Sequence, residues 1–135
     1  MKRLSTIMIV ALLMLTQGVW AWQGSGTADD PYLISSTADW QALAQQVADG
    51  ESFSGKTFRM TADIDAQGTS VGTAEHPFDG TFDGWDYTLT YNAGAAANYA
   101  AERCAPFRFV SGATIRHLKT TGAIYSSEQY AAFSA

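Results

Sequence analysis

Five aspartates in the middle of the chain come nearest, by type and spacing, to a chemical site. Asp63 and Asp65 flank Ile64, while Asp79, Asp83 and Asp86 cluster near glycines. Hard cations take several carboxylate and carbonyl oxygens, so calcium is the metal such a group would hold. No segment follows the D-x-D-x-D-G pattern with a distal glutamate, however, and aspartate beside glycine also makes turns by bonding its own backbone. No metal ligands are assigned on this pattern. Paired carboxylates could instead serve glycoside hydrolysis, where they lie about 5–10 Å apart across a sugar. An Asp-rich chain offers many such pairs, and the spacing selects none. Arg103, Arg108 and Lys119, the bases a polysaccharide lyase could use, are equally unselected. The chain therefore reads as a non-enzyme, with no catalytic residue and no cofactor; a carbohydrate-active enzyme of the lyase or glycosidase kind, or a truncated remnant without function, is the alternative.

His76 precedes Pro77, and His117 sits between Ile115 and Leu118. Two histidines so far apart, without matched acidic or cysteine spacing, make poor zinc ligands and read as turn or surface residues. Cys104 is the single cysteine, so no internal disulfide can form, and no base is evident that would activate its thiol. Trp22, Trp40, Trp85, Tyr87, Tyr91 and Tyr99 could stack on sugar rings. Trp40 belongs to the buried face of a helix. Trp85 and Tyr87, in the corner Gly84-Trp85-Asp86-Tyr87, are the candidate glycan-stacking residues. The competing reading is that such aromatics fill a core or cover its edge.

The elements that must position these residues are mostly short. After a turn-rich stretch over 22–30, Pro31 introduces an apolar strand, Tyr32-Leu33-Ile34. Ser36-Thr37-Ala38-Asp39 then fits a capping box. Trp40, Leu43, Ala44 and Val47 recur at i, i+3, i+4 and i+7, and Gly50 stands where a left-handed cap is wanted. The pattern predicts a helix over about 37–49. Beyond Lys56 come β-like runs at 57–61, 81–82, 88–91, 107–110, 114–115, 118–120 and 123–125, punctuated by glycine, aspartate or serine. The alanine-rich stretch 93–101 reads as a loop. Phe58, Phe82 and Phe107 are 24 and 25 residues apart, each in a strand-like context. Such a period is a solenoid signal. The expected fold is mainly β: a short parallel β-helix with the helix as its N-terminal cover. An antiparallel β-sandwich is the alternative.

The start of the chain carries a different message. Lys2 and Arg3 precede the apolar run 7–15, Gln17 and Gly18 break it, and Val19-Trp20-Ala21 places small residues around Trp20. That order predicts a signal peptide over 1–21, cleaved between Ala21 and Trp22. The apolar run is about half the roughly 20 residues a spanning helix needs, so no membrane span is expected after its removal. Cleavage leaves 114 of the 135 residues and, by removing Lys2 and Arg3, moves the net charge from −5 to −7. An acidic chain of this kind argues against nucleic acid as a partner, which needs a concentrated basic face, and against attachment to anionic lipid.

Four blocks in succession resemble the opening of bacterial surface proteins carrying GLUG-type repeats. They are Gly24-x-Gly26-Thr27-x-x-Asp30-Pro31-Tyr32-Leu33-Ile34-Ser35-Ser36 with the Trp40/Leu43/Ala44 helix, and Gly55-Lys56-x-Phe58-x-Met60-Thr61-Ala62-Asp63-Ile64-Asp65. The others are Pro77-Phe78-Asp79-Gly80-Thr81-Phe82-Asp83-Gly84 with Thr88-Leu89, and Phe107-x-x-Val110-x-x-Ala113-Thr114-Ile115-x-x-Leu118. The resemblance covers nearly all of the chain after residue 21. It implies a right-handed β-helix on an exported, adhesin-like surface protein, with a glycan or a host or cell-surface protein as partner. His117 departs from it, standing where such repeats commonly carry a turn-capping asparagine. On this reading 22–54 form the opening strand and capping helix. Residues 55–135 form the first coils, incomplete at the C-terminus and with an edge prone to self-association.

Overall fold

The computed structural model describes residues 21–95 and 103–125. The expected signal segment up to residue 20, the alanine-rich positions 96–102 and the last ten residues lie outside the described residues. Eight elements follow one another: β1 (Tyr32–Ile34), α1 (Thr37–Ala48), β2 (Thr57–Met60), β3 (Ile64–Asp65), β4 (Thr81–Asp83), β5 (Thr88–Thr90), β6 (Thr114–Arg116) and β7 (Lys119–Thr121).

Helix α1 forms where the apolar spacing places it. Its N-cap is Ser36, whose hydroxyl accepts the Asp39 N–H at 3.2 Å. The Asp39 carboxylate reaches one residue further back than in a capping box, accepting the Ser35 N–H at 2.9 Å and the Ser35 hydroxyl at 3.0 Å. At the other end Gly50 adopts φ 96°. Its N–H reaches the Val47 carbonyl at 3.0 Å and the Glu51 N–H reaches the Gln46 carbonyl at 2.9 Å, the paired bonds of a Schellman cap. Trp40, Leu43, Ala44 and Val47 form the buried stripe.

The strands build two parallel sheets, ordered β1-β2-β4-β6 and β3-β5-β7. From β2 onward the chain visits one sheet and then the other, so each strand pairs with one from the previous circuit rather than with its sequence neighbour. Every pairing among the described strands is parallel, unlike the antiparallel sandwich. Phe58, Phe82 and Ile115 share one line of register, and Ile64, Leu89 and Thr120 another.

Phe107 therefore departs from the expected period. It does not continue the Phe58–Phe82 line; Ile115 does. The connection from β5 to β6 runs from Tyr91 to Ala113, longer than the one from β3 to β4, and this displaces the third strand past Phe107. Phe107 and Val110 instead make isolated bridges to Val71 and Phe78, and the expected strand at 123–125 reduces to one bridge, Ala93 to Ile124. Strand β3 was not anticipated, because two residues are too few to show alternation.

An aromatic cluster fills the interior. Trp40, Phe58, Phe78, Phe82 and Phe107 are each at most 1% exposed. The Trp40 ring meets Phe82 and Phe107 edge-on at 5.7 and 5.3 Å, and Phe53 meets Phe58 at 4.9 Å. Edge-to-face contact at such separations is favoured by the ring quadrupoles. Trp40 also donates through Nε1 to the Thr69 carbonyl at 2.9 Å, tying α1 to the connection after β3.

Candidate functional site

The corners between the two sheets carry the chemistry. Each follows a strand of the first sheet, so the parallel register stacks them. The segment from Gly84 to Tyr87 joins β4 to β5, and His117 with Leu118 joins β6 to β7. Backbone bonds stitch the two together: Gly84 N–H to the Arg116 carbonyl at 2.9 Å, and Asp86 N–H to the His117 carbonyl at 2.8 Å.

Residues 84–87 make a tight turn closed by the Tyr87 N–H on the Gly84 carbonyl at 2.9 Å. Both central residues have positive φ, 50° at Trp85 and 64° at Asp86. That conformation suits glycine or asparagine, and for other residues it costs about 1–2 kcal/mol each. The turn is held by its surroundings. Asp83 Oδ1 accepts the Trp85 N–H at 3.0 Å, and the Arg59 guanidinium carbon lies 3.9 Å from the centroid of the Trp85 ring.

Asp83 is 1% exposed and sits at the centre of the corner. Arg116 Nε donates to its Oδ2 at 3.0 Å, and His117 Nδ1 lies 3.1 Å from Oδ1. Burial by itself would raise the Asp83 carboxyl. The Trp85 N–H, the His117 ring and Arg116 together outweigh it and hold the acid below the ordinary aspartate range. An ionised carboxylate only accepts, so His117 carries its proton on Nδ1. The turn conformation at His117, φ 51°, is one that asparagine would fill readily.

The other predicted residues fall as follows. Trp85 is 53% exposed, whereas Tyr87 is partly buried and packs against the core, so the two do not present one platform. Trp22, half-buried, stacks edge-on Phe58 at 5.2 Å and donates to Gln46 Oε1 at 3.0 Å; Ala21 beside it is exposed. Asp63, Asp65 and Asp79 each accept a backbone N–H, from Thr88 at 2.8 Å, Gln67 at 2.9 Å and Phe53 at 2.7 Å. Among the described residues no three His, Cys, Asp or Glu side chains gather as metal ligands. His76 Nδ1 lies 2.9 Å from the Ala48 carbonyl at the end of α1, and Cys104 is buried. No described helix is long and apolar enough to cross a membrane.

Sequence reading missed Arg59 and Arg116 as members of the site. The signal was present: each follows, by one residue, a member of the inward line Phe58–Phe82–Ile115, as Asp83 does. Register then places Arg59, Asp83 and Arg116 in a row.

What these elements define is a mainly β chain of two parallel sheets and one helix, with a mixed-charge aromatic corner. An alignment 77 positions long, covering 51% of this chain, is 38% identical to Halomucin of Haloquadratum walsbyi (strain DSM 16790 / HBSQ001). The chain spans about 1% of the length of that protein. No protein-family model matches the chain, and no solved structure does.

Proposed function

We propose that this chain is an exported, cell-surface interaction module. It is a short right-handed parallel β-helix, starting at Trp22 after loss of its signal segment, that holds a glycan or a surface protein without turning it over. The carrying observation is the corner itself. It presents an indole 53% exposed, propped on Arg59, while its buried acid is fully engaged by three donors. Aromatic faces beside fixed charges are binding chemistry. A glycosidase's general acid must give up a proton, and Asp83, held below the ordinary aspartate range, is unsuited to that role. Similarity to a protein named as a mucin supports a place outside the cell, as does the resemblance to GLUG-type surface proteins.

The test is a glycan and surface-protein binding screen on the full chain, with product analysis run alongside. Saturable binding without bond cleavage is the expected result. Time-dependent release of reducing ends or of unsaturated sugars would replace this reading with a carbohydrate-active enzyme.

A further inference from the structure

Among the described residues Arg59 has no anion paired with it. It is the Cα partner of Asp83 across β2 and β4, where a cross-strand ion pair is expected. Asp83 is already occupied, Oδ2 by Arg116 and Oδ1 by the Trp85 N–H and His117. Arg59 instead lies against the Trp85 ring, and its Nε is buried with no hydrogen-bond partner. Stacking on an indole offsets part of the desolvation of a guanidinium, yet satisfies none of its five N–H donors. Nε is buried, so an oxyanion from outside would meet the terminal N–H groups, on a guanidinium whose place the ring contact already favours, and little conformational entropy is then lost on binding.

Two further features bear on what would use them. Trp85 keeps more than half its surface open although Arg59 covers part of it. Arg116, 45% exposed at its side chain, stands two strands along the same row, about 10 Å from Arg59 at ordinary strand spacing. A polymer with acid groups on successive units could meet both. The chain's net charge of −5 gives a polyanion no long-range attraction, so recognition has to be local and geometric.

We propose that the Arg59–Trp85 corner is a binding site for an acidic saccharide, its oxyanion (uronate carboxylate or sugar sulfate) taken by Arg59 and its ring laid on the open part of Trp85. This deepens the interaction-module reading and rests on it. A flat, exposed indole beside a fixed guanidinium suits a sugar ring bearing an oxyanion better than an acidic peptide, whose side chains offer the charge without the ring.

Titration calorimetry on the full chain tests this with four probes: oligogalacturonate, its methyl ester, a sulfated oligosaccharide of similar length, and poly-glutamate. Either acidic saccharide should bind saturably, and which binds tighter tells carboxylate from sulfate. The methyl ester should bind about tenfold more weakly or worse, as should Arg59→Gln with the acid form. Arg59→Lys should recover only part, because it keeps the charge and loses the fork. Trp85→Ala should weaken acid and ester alike. Circular dichroism of each variant confirms that its fold is retained. Equal binding of acid and ester, indifference to Arg59→Gln, or no saccharide binding by the folded chain overturns the site and leaves the module reading standing. Poly-glutamate binding as tightly as the saccharides overturns the saccharide class. Cleavage of a bound probe overturns the module reading and leaves the site.

Discussion

Asp83 and Arg116 face each other across β4 and β6, and Arg116 Nε lies 3.0 Å from Asp83 Oδ2. The pair is lopsided: the acid's side chain is 2% exposed and the base's 45%. The desolvation cost therefore falls on Asp83, and it is offset by hydrogen bonds more than by the charge of one half-solvated arginine. This makes the acid a structural post for the corner, fixing Trp85 through its backbone N–H and the next circuit through His117 and Arg116.

Asp83→Asn should destabilise the chain by about 1–3 kcal/mol, the usual range for weakening a charge-assisted, buried hydrogen-bond set. The pH dependence has a definite sign. The folded acid titrates below its ordinary value of about 3.9, so its contribution is complete above that pH and is lost as pH falls through the depressed folded value. Urea melts at a series of pH values should show wild type and Asp83→Asn converging below about pH 4. A gap that stayed constant into strong acid would contradict this role.

Tyr91 supplies the opposite limb. It is 1% exposed, its hydroxyl lies 2.8 Å from Ser70 Oγ, and burial pushes its phenol above the ordinary value. A raised folded value means stability is complete below about pH 10 and falls as pH rises further. Tyr91→Phe should flatten that alkaline decline while costing about 1 kcal/mol at neutral pH, for the lost bond to Ser70. Thermal melts between pH 8 and about 11 would measure both.

Trp40→Ala should cost about 3–5 kcal/mol, since it empties a fully buried site between Phe82 and Phe107. Trp40→Phe should recover only part of this, because the Thr69 carbonyl loses its indole donor. Chemical denaturation followed by far-ultraviolet circular dichroism separates the two variants. Equal stability of Trp40→Phe and wild type would remove the hydrogen bond from the account.

Gly72 and Gly50 both have positive φ, 94° and 96°, but differ in what a Cβ would meet. At Gly72 it would fall 2.1 Å from the Phe109 carbonyl oxygen, the acceptor for the Phe78 N–H. At Gly50 the nearest atom is His76 Nε2 at 3.3 Å, on a side chain that can give way. Gly72→Ala should accordingly cost about 3 kcal/mol, strain plus the displaced bond, and Gly50→Ala about 1–2 kcal/mol. Melting temperatures of the two single variants give the ordering directly.

Much of the scaffold could be read from residue order. Helix α1 was legible apart from the carboxylate half of its capping box, because Ser36, the Trp40–Val47 stripe and Gly50 act within a few residues of one another. Strand β1 was equally plain, and β2, β4 and β5 were found to within a residue at their ends. Local spacing could not show that 107–110 would be bridges rather than a strand, since that depends on how far the Tyr91–Ala113 connection displaces β6.

The residues themselves determined that the chain would be mainly β, acidic, and punctuated by aspartate turns, because propensity, charge and side-chain-to-backbone bonding are local properties. Trp85 and Tyr87 could be picked from their corner, but only packing sent one outward and the other toward the core. Tertiary structure alone decided the row Arg59, Asp83, Arg116. Parallel pairing between successive circuits joins residues 24 and 33 positions apart, and Asp83, set between two arginines, takes its hydrogen bond from Arg116 while Arg59 turns to the Trp85 ring. Which base stays unpaired follows from register and from the turn that sets Trp85 beneath Arg59, and neither is written in any short stretch of sequence.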